Sequence, residues 1–215
     1  MNVVETVPTA FLDASKLKGS AVKSSKTGLY GSTEYTLKNG VNVILMPSSI
    51  EKDRIQIRLF KKGGKSLVDD ADLYSLEDNV FSLYQANTGV SQFAKTTVDK
   101  MLSGKQVNIS PFIEPVRHGI SGGCQPKDIE TALQLVYLYF TQPRFDADEW
   151  NLGMNQLRAV LPNVLNTPEF KFQNEMVATV NSNKARNPQL TMENLEKASL
   201  DVYANNYRKL FKTAA

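Results

Sequence analysis

One histidine, His118, and one cysteine, Cys124, are all that this chain of 215 residues carries of either type. A lone imidazole excludes any site that needs two. A lone thiol excludes both an internal disulfide framework and a multi-cysteine zinc site. Nothing in the neighbours Gly122, Gly123 and Pro126 would lower the pKa of Cys124, so it reads as a structural thiol. Long apolar runs are missing too. The longest, Leu135 to Phe140, falls far short of the roughly 20 residues that cross a bilayer, so no membrane span is expected. The start of the chain has no continuous apolar stretch of the kind a secretory signal needs. Neither sign of charge dominates: 25 basic against 22 acidic residues leave a formal net charge of +3. The densest basic stretch, Lys16, Lys18, Lys23 and Lys26, has no interleaved aromatics before Tyr30. It reads as a solvated connector and not as a nucleic-acid groove, and no nucleic-acid partner is expected.

What is present is an ordinary globular composition, 41% hydrophobic and 22% charged, in a length that buries one large core. Residues 1–32 are rich in Ser, Thr, Lys and Gly without a sustained period, and are expected to form a linker or interdomain tail ahead of a domain over 33–215. The turn Lys38-Asn39-Gly40 between two apolar runs predicts a hairpin. A third strand is expected over 54–60, with Ile55, Ile57 and Leu59 on one face and Arg54, Gln56 and Arg58 on the other. A helix over 72–84 and a shorter one over 91–102 precede two strands, over 106–112 and 116–122; the second is rich in Gly and Ser, which predicts close packing of a helix or another backbone. The rest reads as helical. Pro126 opens one helix, Asp146 and Glu149 form the pattern of a capping box for a second that Pro162 kinks or ends, a third covers 169–180, and Thr191 caps the last after a polar loop over 181–189. Strands early and helices late, without alternation, predict an α+β fold: a mainly antiparallel sheet with helices packed on one face.

Within the helix expected over 72–84, Leu73, Leu76, Val80, Phe81 and Tyr84 have helical spacing, and Tyr74, Glu77 and Asp78 sit among them. Taken alone, this is a buried stripe beside solvated acids. Adjacent helix positions diverge by about 100°, so Glu77 and Asp78 are not expected to serve one site. His118, beside Arg117 in a predicted strand, reads as a packed or surface histidine. The Gly pairs at 63–64 and 122–123 fit neither a Walker nor a dinucleotide spacing and read as turn or packing glycines.

The order of elements, together with Leu37-Lys-Asn-Gly40-Val-Asn-Val-Ile-Leu, Lys62-Gly-Gly64-Lys-Ser66, Gly119-Ile-Ser-Gly122 and Phe140-Thr-Gln-Pro143-Arg144-Phe145, resembles peptidase family M16, the pitrilysin, insulysin and mitochondrial processing peptidase group. The likeness runs from about residue 34 to the C-terminus and is nearest to a non-catalytic domain of long bacterial pitrilysin-like zinc proteases. In the family's His-x-x-Glu-His motif two imidazoles hold Zn²⁺ and the Glu activates water. Here the resemblance aligns Tyr74, Glu77 and Asp78 with those positions, so only Glu77 keeps the family residue. The family's third ligand is a Glu on a later helix, whereas no acid occurs between Glu149 and Glu169.

The resemblance therefore implies a catalytically inactive domain. It would hold no metal or cofactor, and Tyr74, Glu77 and Asp78 would be degenerate remnants of the zinc motif. Zinc would sit in a partner catalytic domain, other domains of the same parent chain would be its neighbours, and an unfolded peptide or protein would be the substrate in the chamber they enclose. A further strand after Phe211 is expected, and with it a longer parent protein. The periplasm or cell envelope is the compartment that the resemblance suggests; the residues themselves leave it open. Two alternatives remain at this stage: an independent non-proteolytic interaction subunit, and an enzyme with a rewired acid site at Glu77 and Asp78.

Overall fold

A computed structural model of the protein describes residues 7–180, 186 and 188–212. The architecture is α+β with antiparallel strands, as expected, but the strands fall into two three-stranded sheets. In the first, β2 (Thr33–Leu37) lies between β1 (Val22–Thr27) and β3 (Asn42–Leu45). Gly40 closes the β2–β3 hairpin with φ +86°, a conformation that favours glycine. In the second sheet β6 (Arg117–Cys124) is central, flanked by β4 (Ile55–Lys62) and β5 (Val107–Ile113).

Strand β1 lies within residues 1–32, the segment expected to be a linker or interdomain tail. It is exposed along its whole length, so it carries no alternation of apolar residues to announce it. Phe11 is also part of the core: its N–H donates to Gln134 Oε1 at 3.0 Å, and its ring meets Phe93 edge-on at 5.7 Å.

The helices are α1 (Asp78–Asn87), α2 (Lys95–Leu102), α3 (Ile129–Thr141), α4 (Ala147–Leu165), α5 (Pro168–Val180), α6 (Met192–Leu195) and α7 (Leu200–Phe211). Helix α4 continues through Pro162 for three further residues rather than ending there. Thr191 caps as expected, accepting from the Asn194 N–H at 3.1 Å, but the expected last helix is two, α6 and α7, separated at 196–199. The polar loop expected over 181–189 lies largely outside the described residues.

Helices α3 and α7 pack on one face of the second sheet. The strand register puts Ile57, Ile120 and Ile109 on that face, with Leu135 and Leu138 of α3 buried in the same core. Helix α7 contributes Tyr203, Tyr207 and Phe211; Tyr207 and Phe211 stack at 4.1 Å, while Tyr203 meets Tyr84 of α1 edge-on at 5.0 Å. Each such ring removes enough apolar area from water to contribute about 2 kcal/mol, so α7 links the sheet to α1.

The backbone that crowds the Gly-rich β6 is that of its own neighbours. A Cβ on Gly119 would lie 1.9 Å from Leu59 O of β4, and one on Gly122 would lie 1.8 Å from Asn108 O of β5. Gly64 is equally constrained, with φ +59° and a Cβ position 2.0 Å from Glu114 O; Gly104 has φ +77° but open space around it. Gly104→Ala is therefore expected to cost about 1 kcal/mol through its left-handed backbone alone. Gly64→Ala adds a backbone clash and is expected to cost at least about 2 kcal/mol more. Denaturant unfolding of the two variants measures the difference.

Candidate functional site

The helix expected over 72–84 is broken at the position that matters. Residues Asp70–Leu76 form a 3-10 segment, Glu77 is extended with φ −58° and ψ 141°, and α1 begins only at Asp78. Tyr74 and Asp78 therefore do not share one α-helical face, and the one-turn geometry that would bring two ligands together is absent at these positions. The cause lies in the Glu77 carboxylate, which caps α1: it accepts from the Asn79 N–H at 2.9 Å and the Val80 N–H at 3.2 Å, satisfying donors that a helix start otherwise leaves unpaired. An acid at this end also meets the positive pole of the helix.

The other two residues have separate engagements. The Asp78 side chain is 82% exposed and pairs with Lys65 Nζ at 2.5 Å. Tyr74 is half-buried beneath Lys197, whose Nζ stands 4.9 Å from the ring centroid. The 3-10 segment itself is fastened from the C-terminal part of the chain. Arg186 donates to Asp70 Oδ1 at 2.7 Å and to Lys65 O at 2.8 Å, Asn206 Nδ2 donates to Asp72 Oδ2 at 2.8 Å, and the Ser199 N–H donates to Ser75 Oγ at 3.0 Å. Glu77 and Asp78 are thus directed to different partners and do not converge.

Helix α4 turns Trp150, Gly153, Met154, Leu157 and Leu161 into the core, and Gly153 has its Cβ position 3.7 Å from Leu83 O of α1. The acid at its start, Glu149, has a role that the capping-box pattern concealed. Asp146 caps α4 through the Asp148 and Glu149 N–H groups. The Glu149 carboxylate does not reach back to the Asp146 N–H, which donates to the Tyr84 hydroxyl instead. It accepts from Arg144 Nε at 3.1 Å and from Thr88 Oγ1 at 2.8 Å, joining the end of α1 to the start of α4. Among the described residues no three His, Cys, Asp or Glu side chains are grouped so as to hold a metal ion.

His118 is buried at 1% exposure, with both ring nitrogens engaged. Nδ1 accepts from the Gly64 N–H at 3.0 Å, which requires the proton on Nε2, and Nε2 donates to Leu210 O at 2.7 Å. One imidazole thereby clips the Gly63–Gly64 turn and β6 to the end of α7. Burial holds its pKa below the ordinary value; the bond to Leu210 opposes this and Lys61 reinforces it. Burial likewise raises the Cys124 thiol, with Asp128 adding to the effect, in keeping with a structural role.

No family model matches the chain, and no curated protein matches it. Solved structures do. The chain is similar in shape to part of the periplasmic protease PqqL from Escherichia coli, at 20% identity and a TM-score of 0.70, over 89% of this chain and 21% of that one. It is also similar to part of the ferredoxin protease FusC, solved as a mutant in complex with Arabidopsis ferredoxin, at 15% identity and a TM-score of 0.67, over 98% of this chain and 22% of that one. The chain spans about a fifth of the length of each. The likeness is one of fold, and the fold is pitrilysin-like, as the sequence resemblance implied.

Two stability measurements follow from this geometry. Removing the cap in Glu77→Ala is expected to cost about 1 kcal/mol, with Glu77→Gln milder, since an amide oxygen still accepts from Asn79 and Val80. For His118, the unfolded chain takes up a proton as pH falls through about 6.5 while the folded chain resists it, so its contribution is complete above that value and is lost below it. Unfolding midpoints should therefore fall between pH 7.5 and 5.5, and fall less steeply in His118→Gln.

Proposed function

We propose that this chain is a pitrilysin-like domain without zinc chemistry of its own, working inside a longer protease as part of the wall of its substrate chamber. The observation that carries this reading is the fate of Tyr74, Glu77 and Asp78. One lies under a lysine, one caps a helix and one makes a surface ion pair, and none is left aimed at a common point. A catalytic zinc needs three protein ligands and a water, and the carboxylates of α4 are confined to its first turn, Asp148 and Glu149, with none from Trp150 to Leu165; Glu149 is already bound to Arg144 and Thr88. The same engagements count against a rewired acid site at Glu77 and Asp78.

In this reading zinc and catalysis belong to a partner domain of the same parent chain, and the periplasm or cell envelope is the compartment. The substrate is an unfolded peptide or protein segment, which adds to a sheet edge through main-chain hydrogen bonds. Strand β4 is the better edge, because β5 carries Pro111, which has no N–H to offer.

Metal analysis and peptide hydrolysis by the purified chain test the proposal. The expected result is no stoichiometric zinc and no cleavage. One zinc per chain, removable by a chelator together with peptidase activity, overturns it. In the parent protease Glu77→Gln should leave most activity intact, whereas the same change at the Glu of an intact zinc motif should abolish it.

A further inference from the structure

The helices cover one face of the β4–β6–β5 sheet, and the other face carries a concentration of positive charge. The alternation of β4 sends Arg58, Phe60 and Lys62 to the side opposite Ile55, Ile57 and Leu59, and the register places Arg117 and Gly123 of β6 and Phe112 of β5 on that same outer side; Arg54, just before β4, has its Nε 3.4 Å from the Cβ position of Gly123. Phe60 is 60% exposed, and the side chains of Arg58 and Arg117 are 50% and 46% exposed. The acids there are few. Glu114 is shared between Arg58 Nη2, at 3.0 Å, and Arg117 Nε, and Glu51 reaches Arg54 at 3.7 Å. Asp53 lines the same groove as Arg54 and Gly123, so four cations (Arg54, Arg58, Lys62, Arg117) stand against three acids (Glu51, Asp53, Glu114), an excess of one that is concentrated toward Arg58, Lys62 and Arg117, where Glu114 is the one acid paired.

The face also shows how it holds a carboxylate. Glu114 sits between two guanidinium groups, one of which lies over the Phe112 ring at 5.2 Å from its centroid, and each guanidinium has five N–H donors. An extended peptide along β4 would turn alternate side chains to this side, one strand spacing of about 4.8 Å from Arg54, Arg58 and Lys62. We infer that this face selects extended peptides bearing acidic side chains at alternate positions, with an aromatic or apolar side chain accommodated at Phe60. The inference rests on the peptide-binding reading above and names the chemistry of the segment bound. A peptide fits better than a nucleic acid because the recognition already built there is of a carboxylate and is spaced along a strand.

Fluorescence anisotropy of the full chain with short labelled probes tests it. The probes are a peptide alternating Glu with Ser and carrying one Phe, its Gln and Lys counterparts, and a single-stranded DNA of similar length. The Glu peptide is expected to bind at least about tenfold more tightly than the Gln peptide, a difference that shrinks with added salt. The double variant Arg58→Glu, Lys62→Glu should abolish that preference, and Lys171→Glu, on α5 in the helical layer, should retain it. Circular dichroism checks that the variants fold, and Lys62→Glu alone, expected to weaken the preference severalfold, takes the place of the pair if the pair does not. Equal binding of the Glu and Gln peptides overturns the inference and leaves peptide binding itself standing; binding of no peptide overturns both. Tighter binding of DNA than of the Glu peptide, or an equal loss in Lys171→Glu, also overturns it.

Discussion

The carboxylate of Glu77 bound to the first N–H groups of α1 is the contact on which the candidate site depends. Because it caps α1 from outside, the chain cannot run as one helix from Asp70 to Asn87. The 3-10 segment before the break is then free to be fastened by Arg186, Asn206 and Ser199, while α1 packs against α4 through Gly153. Tyr74 and Asp78 are separated by the same break. A glutamate whose oxygens are both hydrogen-bonded to the helix start, Oε1 to the Asn79 side chain and Oε2 to the backbone, is poorly placed to activate water for any neighbour.

A second tie holds the sheet to the helical layer. His118 joins the Gly63–Gly64 turn, β6 and the end of α7 through two hydrogen bonds that only the neutral ring can make, in surroundings that already disfavour the charged form. Around it Phe211 and Phe140 complete an aromatic cluster that continues through Tyr207 and Tyr203 to Tyr84 and Trp150. Sheet, α7 and α1 are thus one packed unit.

Much of this was legible in the sequence, for identifiable reasons. The Asn39-Gly40 hairpin, the alternation of β4, and the apolar stripes of α3 and α4 each carry a period that only one kind of element satisfies. The break at Glu77 was not legible: Leu73, Leu76 and Val80 suit a continuous helix as well as a 3-10 segment followed by a new one, and Glu is not among the residues that usually mark a helix start. Strand β1 was hidden because an edge strand exposed along its length needs no apolar alternation. The diversion of Glu149 to Arg144 and Thr88 was hidden because a capping-box pattern records spacing and says nothing about a competing partner on another helix. The likeness to known protease structures at 20% identity or below agrees with the fold read from the motifs; the role of each residue has to be argued from its contacts.

The central claim is that the positions aligned with the zinc motif have become scaffold and that the backbone around them no longer presents a metal site. Restoring the imidazoles tests this directly. Zinc binding to the double variant Tyr74→His, Asp78→His would be measured by titration calorimetry, with metal content analysed after dialysis. The account predicts no stoichiometric zinc, because the two imidazoles would stand on different elements with Glu77 held in the cap between them and no third ligand on α4. Tight binding of one zinc per chain by the double variant would contradict it.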